Sequence, residues 1–311
     1  MDRSLTDRRS LAVAAMLISP LCFATNLIFG RLAVSEVAPF TLAFLRWAAV
    51  AALLMPFVFR HRRQVAEVAA SSVPLLVLLG ALGMWLCGGP VYLALGLTSA
   101  TNGALIFGTT SVAVILLEAV FRGRRIAGRE AVGSVLALLG VSVIVLRGDL
   151  AALIHLSLNL GDLVLVVCML GWATYSILCR SPRLAPLPNI VLLGLAASAG
   201  ALLLAPFAVL EFLSGAPMPG TARAWAGIAG IIVVPSLLAF LTHQFGMRVL
   251  GPSVASLFTY LTPPYGVLLA LLILGEPFGP YQAVGISLVM AGVVLATLPR
   301  DYVERVFRRR K

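Results

Sequence analysis

The chain has 311 residues, 60% of them hydrophobic and only 11% charged, and its mean hydropathy is +1.03. About a quarter of a soluble domain is charged, so this chain cannot cover a water-facing surface, and the bilayer is its natural solvent. The net charge of +11 does not point to nucleic acid. The arginines fall in short breaks between apolar runs, not on a basic face interleaved with exposed aromatics.

Ten apolar runs of bilayer-crossing length follow one another. The first, 11–31, comes after a basic stretch in the manner of a signal peptide. It lacks a small-residue cleavage site and many more runs follow, so it reads as a first transmembrane helix, and it holds Asn26. The second, 38–59, carries Arg46 about 12 Å from its start at about 1.5 Å per residue. A central arginine costs about 2.5–3.5 kcal/mol on insertion scales, so it should face protein; the sharper alternative is that it meets a substrate carboxylate. The third, 74–97, contains MWLCGGPVY. There Gly88, Gly89 and Pro90 break the helix between Trp85 and Tyr92, a break that survives only where protein or a cavity compensates it. The fourth, 101–121, starts near Asn102, a candidate cap, and sets Glu118 four residues before Arg122 as an i,i+4 pair. The fifth is 129–147.

A connection at 148–160 leads to the sixth run, 161–180. It opens on Asp162, whose charge suits a helix N-terminus, and it holds Trp172 and Tyr175. An aromatic ring and an amide near the midplane can hold an amino acid between them, which marks Trp172, Tyr175 and Asn26 as candidate substrate contacts. The seventh run is 188–212. The eighth, 224–247, opens on Trp225, an interfacial belt residue, and contains His243, a side chain able to carry a proton near neutral pH. The ninth, 252–274, places Tyr260 and Tyr265 around Pro263 and Pro264. The tenth is 279–298, and a basic tail, 299–311, suits anionic lipid headgroups. Cys22, Cys87, Cys168 and Cys179 all lie in apolar runs without metal-ligand spacing and read as inert thiols.

Basic residues gather at alternate breaks. The clusters at 3–9, 60–63, 122–129, 180–183, 248 and 300–311 share one side, against Arg31, Arg147 and Arg223 on the other. This bias puts both termini in the cytoplasm of a bacterial-type inner membrane.

The chain also repeats itself. FATNLIFGR at 23–31 and WATYSILCR at 172–180 share Ala24/Ala173, Thr25/Thr174, Ile28/Ile177 and Arg31/Arg180 at a constant spacing. Residues 129–146 lie over 281–298 through Gly133/Gly285 and Gly140/Gly292, and Pro39 meets Pro188. Each half holds five spans, an odd number, so the second half enters the membrane from the opposite side. Such inverted repeats build secondary transporters with substrate bound near the midplane.

These strings, together with Pro39-x(6)-Arg46 and the late motif VASLFTYLTPPYGVLLALLILGEP at 254–277, resemble the EamA-type family of the drug/metabolite transporter superfamily. Within it the chain looks most similar to bacterial amino-acid exporters of the YddG kind. The resemblance covers nearly the whole chain. It implies ten helices around a central cavity, lined mainly by helices 1, 3, 4, 6, 8 and 9, working by alternating access. The first half departs from the late motif, with Thr110 standing for Pro263 and Gly123 for Glu276.

Lys311 is the only lysine, so neither a Walker A loop nor a Schiff base can be built. The chain has no H-E-x-x-H and no G-x-G-D string, which speaks against an intramembrane enzyme. A passive channel lacks its usual charged rings or carbonyl filters. The expected fold is an all-α integral membrane protein of two inverted five-helix repeats, 1–147 and 161–298, around a central cavity. The expected function is secondary transport: export of small organic metabolites, amino acids including aromatic ones foremost. A drug or nucleoside-type efflux carrier is the alternative, and a passive channel or intramembrane enzyme the alternative of another class. Candidate substrate contacts are Trp172, Tyr175, Asn26, Tyr92, Trp85, Tyr260, Tyr265 and Asn102; His243, Glu118 and Arg46 are candidates for a proton or charge role. No cofactor, metal or nucleic acid is expected. The expected partners are a small-molecule substrate and membrane lipid, and the expected state is a monomer.

Overall fold

The computed structural model of the chain describes residues 3–33, 36–155, 159–275 and 277–297. The basic tail at 299–311 and Glu276 of the late motif lie outside the described residues. The fold is all-helical, with ten helices long and apolar enough to cross a membrane: α1 (Asp7–Gly30), α2 (Pro39–Arg60), α3 (Arg62–Leu95), α4 (Thr101–Arg122), α5 (Gly128–Val145), α6 (Leu160–Leu178), α7 (Asn189–Leu213), α8 (Ala222–Leu250), α9 (Pro252–Ile273) and α10 (Pro280–Thr297). Most ends fall within a few residues of the apolar runs. The exception is α3, which starts at Arg62 rather than near residue 74. Arg62, Arg63, Gln64 and Glu67 are good helix formers but polar, so the helix is longer than its apolar run.

The packing is that of two equivalent halves. α2 packs on α7, α5 on α10 and α4 on α9, each helix against its own counterpart. Further contacts come in matched pairs: α1 on α8 repeats α6 on α3, and α1 on α9 repeats α6 on α4. The α5–α10 crossing displays the inversion directly. A Cβ added at Gly140 would lie 2.6 Å from the Gly285 carbonyl oxygen, and one at Gly292 would lie 2.5 Å from the Gly133 carbonyl oxygen. Gly133 thus faces Gly292 and Gly140 faces Gly285. Each glycine meets the repeat-mate of the other, which only antiparallel helices related by a two-fold axis can do. Small residues let the two backbones approach this closely in lipid.

The same symmetry corrects the reading of the late motif. α4 and α9 each resume regular helix at a threonine, Thr110 and Thr262, and each ends on a left-handed glycine, Gly123 (φ 62°) and Gly275 (φ 66°). The repeat-mates are therefore Thr110 with Thr262 and Gly123 with Gly275, one residue away from the pairing with Pro263 and Glu276. A positive φ at a helix C-terminus favours glycine, and both halves meet that demand in the same way.

Both halves also break their third helix at the same depth. α3 has a π-helical turn at Ala81–Leu86 and α8 has one at Ile232–Leu238. In α8 the cause is Pro235, which has no N–H to give to the Ile231 carbonyl; Ser236 Oγ donates to that oxygen instead, at 2.6 Å. In α3 the turn runs into Gly88 and Gly89 before the helix resumes through Pro90. Cβ atoms there would strike the Met84 carbonyl (2.4 Å) and the Phe40 ring (2.2 Å). The interruption expected from GGP is present, and neighbouring protein fills it.

Candidate substrate cavity

A cavity of about 570 Å³ lies between the halves. It is lined from α1, α3, α4, α6, α8 and α9, with additions from α2 and α5. It is an apolar vessel with a few polar groups: Phe23, Trp47, Trp172 and Phe240 supply rings, and Asn26, Arg46 and several threonines supply polarity. Its lining reaches Ala104 in the first turn of α4 and Val145, the last residue of α5. Both mark the face away from the arginine-rich ends.

Toward the arginine-rich face the way is shut by packed rings. Trp172 is stacked on Tyr175 (centroids 5.3 Å, 25°) and on His243 (5.6 Å, 26°). Phe23 and Phe240 meet Trp172 edge-on at 6.0 and 5.3 Å. Such offset and T-shaped pairs add about 0.5–1.5 kcal/mol each beyond the area they bury. Below Trp172, Tyr175 is fully buried, and its hydroxyl accepts a hydrogen bond from Gln244 Nε2 at 2.7 Å.

The expected site residues thus fall into three groups. Asn26, Arg46, Trp172 and Tyr260 line the cavity. Tyr175 and His243 lie behind it, in the ring-packed floor. The others are engaged elsewhere. Trp85 tilts against Phe207 of α7 at 5.7 Å, and Tyr92 and Tyr265 pack on hydrophobic clusters. Asn102 does not cap α4, since Ser99 does so; its side chain donates to both carboxylate oxygens of Asp162, at 3.1 Å. Asp162 in turn closes a capping box with Asn159 at the start of α6. Glu118, 3% exposed, has its Arg122 pair at 3.8 Å but does more. It accepts from the backbone N–H of Ser253 at 3.2 Å and from the Ser253 hydroxyl, so it satisfies the first turn of α9.

Arg46 has the most unusual surroundings. It is 8% exposed. Its Nε donates to Ser236 Oγ at 2.5 Å and its Nη2 to the Pro235 carbonyl at 3.4 Å, so it sits on the π-helical turn of α8. Its Cζ lies 4.7 Å from the Trp47 ring centroid. Among the described residues no carboxylate pairs with it, and no acidic residue lines the cavity. Asn26 Oδ1 and Trp47 Nε1 are buried without a hydrogen bond. Three residues that matter here, Phe23, Trp47 and Gln244, were not among the expected ones. Phe23 stands at the first position of its string, where Trp172 stands in the second copy.

The sequence pattern of the EamA-like transporter family matches residues 10–146 and 159–298. An uncharacterized transporter of Archaeoglobus fulgidus is 28% identical over 280 residues, 90% of this chain and 95% of that one. A protein of Streptantibioticus cattleyicolor described as a probable terminal-alkyne amino-acid exporter is 28% identical over 233 residues, 73% of each chain. A solved crystal structure superimposes with a TM-score of 0.72 at 21% identity, covering 95% of this chain and 99% of that one, a likeness of fold. The two matched segments coincide with the two halves that face each other across the cavity. The chain therefore belongs to the EamA-like transporter family, a multi-pass membrane transporter and not an enzyme.

Proposed function

We propose that this chain is a secondary transporter that exports small organic metabolites by alternating access, with amino acids, aromatic ones included, as its leading substrates. The observation that carries this reading is the cavity: about 570 Å³, apolar and aromatic, with few polar groups and one closed end. Pockets of about 300–1,000 Å³ with this lining suit small organic ligands. The amino-acid exporter among the relatives supports the substrate class, as does the resemblance to exporters of the YddG kind. The closed floor argues against a passive channel.

In this reading residues 1–147 and 161–298 are the two moving halves and both termini are cytoplasmic. The cavity then faces outward in the state described, and the arginine-rich face is the inner one. Trp172, Asn26, Arg46 and Tyr260 contact substrate, and Tyr175 supports Trp172 from behind. Glu118 is committed to α9 and His243 to the floor, which favours facilitated diffusion or exchange over strong proton coupling. The protein works as a monomer without a cofactor.

Purified protein in sealed liposomes loaded with labelled phenylalanine, tryptophan or threonine tests this. Saturable efflux is expected, insensitive to a pH gradient, and reduced about tenfold or more by Trp172→Ala, which removes a ring stack and opens the floor. Folded protein that moves no amino acid refutes the substrate class and shifts the search to drug or nucleoside-type metabolites. Leak that never saturates refutes the carrier.

A further inference from the structure

The Arg46 guanidinium lines the cavity with its Nη1 end unpaired among the described residues, and no lining residue is acidic; from this we infer that the carrier recognises its substrates by their carboxylate and that the α-ammonium is dispensable. The inference rests on the reading of the cavity as the transport site and narrows it to amphipathic monocarboxylates.

Charge balance singles out Arg46. Arginine always carries its charge, and within a membrane such a charge is normally paired or bonded to carbonyls. Arg46 has one hydroxyl and one distant carbonyl, at 2.5 and 3.4 Å, and a ring face at 4.7 Å. Ser236 Oγ gives its own proton to the Ile231 carbonyl, so it can accept from Arg46 and is held in place to do so. These contacts fix the orientation of the guanidinium without neutralising it. Its neighbour Trp47, 1% exposed and also lining the cavity, has an N–H without a partner. A fixed cation that its surroundings orient but do not neutralise is a receptor for an oxygen anion, and a planar carboxylate matches the guanidinium fork. The apolar remainder of the ligand lies against Phe23, Trp172 and Phe240.

The cavity treats an ammonium differently. Its lining contains no carboxylate, and a second cation near Arg46 is repelled. In a zwitterion the ammonium finds only neutral acceptors and ring faces, of which Asn26 Oδ1 and Tyr260 Oη are buried without a partner. An amino acid therefore binds through its acid end, and deleting the amine removes little.

The experiment is calorimetric titration of the full-length, detergent-purified protein with phenylalanine, 3-phenylpropionate and phenethylamine. These probes share a phenyl ring and carry both charges, the acid alone and the amine alone. Expected are dissociation constants for the first two within about threefold of each other, and binding of phenethylamine weaker by about tenfold or more, the scale of one charge-assisted pair. Arg46→Gln should abolish the preference for the acids. Because Arg46 also holds the α8 turn, Arg46→Lys serves as the second variant: it keeps the charge, loses the fork, and should retain the order of the three probes with weaker acids. An arginine of purely structural importance would change unfolding in both variants and leave the order of affinities intact, which overturns the inference. Phenethylamine binding as well as phenylalanine overturns it too. Binding of phenylalanine without 3-phenylpropionate overturns the inference and spares the amino-acid reading. Binding of 3-phenylpropionate without phenylalanine does the reverse, and binding of none overturns both.

Discussion

α1 and α6 carry the same string of residues and do opposite things with it. In α1 the helix is interrupted at Thr25, whose Oγ1 turns back to the Cys22 carbonyl at 2.7 Å, and Asn26 restarts it at the cavity wall. In α6 the helix runs unbroken through Thr174, and Tyr175, the repeat-mate of Asn26, is fully buried against Gln244. An inverted repeat gives each residue a partner on the other side of the membrane midplane. When only one side is open, one partner lines the vessel and the other becomes its floor. Symmetry of sequence thus predicts the frame, while the packing around each copy decides which one faces the cavity.

This contrast can be broken by measurement. Tyr175→Ala removes a fully buried ring and should cost about 3–5 kcal/mol in chemical unfolding of the micelle-bound protein, as large-to-small core changes do. Gly83→Val tests the space around the same ring. A Cβ there would lie 2.7 Å from the Tyr175 ring atoms, and overpacking of this kind costs about 1–3 kcal/mol. Asn26→Ala should shift unfolding by no more than about 0.5 kcal/mol, because its amide has no described protein partner to lose. Its effect should appear in liposome efflux instead, as a loss of about two- to tenfold, the worth of one hydrogen bond to substrate. If Asn26→Ala destabilises the fold as much as Tyr175→Ala does, the two positions are equivalent core residues and the contrast fails.

Much of the frame was legible because the forces that set it are local and repetitive. Apolar runs of bilayer length mark the spans, and arginines at alternate breaks keep count of them. Glycines at 133, 140, 285 and 292 mark the repeat, and the fold shows that they also form a close helix crossing. The start of α3 was not legible, since helix propensity continues past the apolar run. Nor was the one-residue register of the late motif, where Thr-Pro-Pro invites alignment on a proline and the left-handed glycines at 123 and 275 show the true match. The cavity was legible in its residue types and less so in their roles. Asn26 and Tyr175 are indistinguishable as polar groups in oil. Which of them meets a cavity depends on how α1 and α6 pack against α8 and α3, and no periodicity encodes that. Arg46 was identifiable as a costly charge at depth. That its support is a proline-induced π turn on another helix could be known only from the fold.

The glycine crossing of α5 and α10 has a consequence for assembly. Since Gly133 meets Gly292 and Gly140 meets Gly285, the seam is self-complementary: each side presents what the other requires. In the language of oligomers it is an isologous interface that happens to lie within one chain. Two copies of a single five-helix polypeptide, inserted in opposite senses, would form such a seam by symmetry alone. The covalent link between the halves therefore adds a fixed stoichiometry and a fixed pair of orientations to an interface that already specifies a dimer.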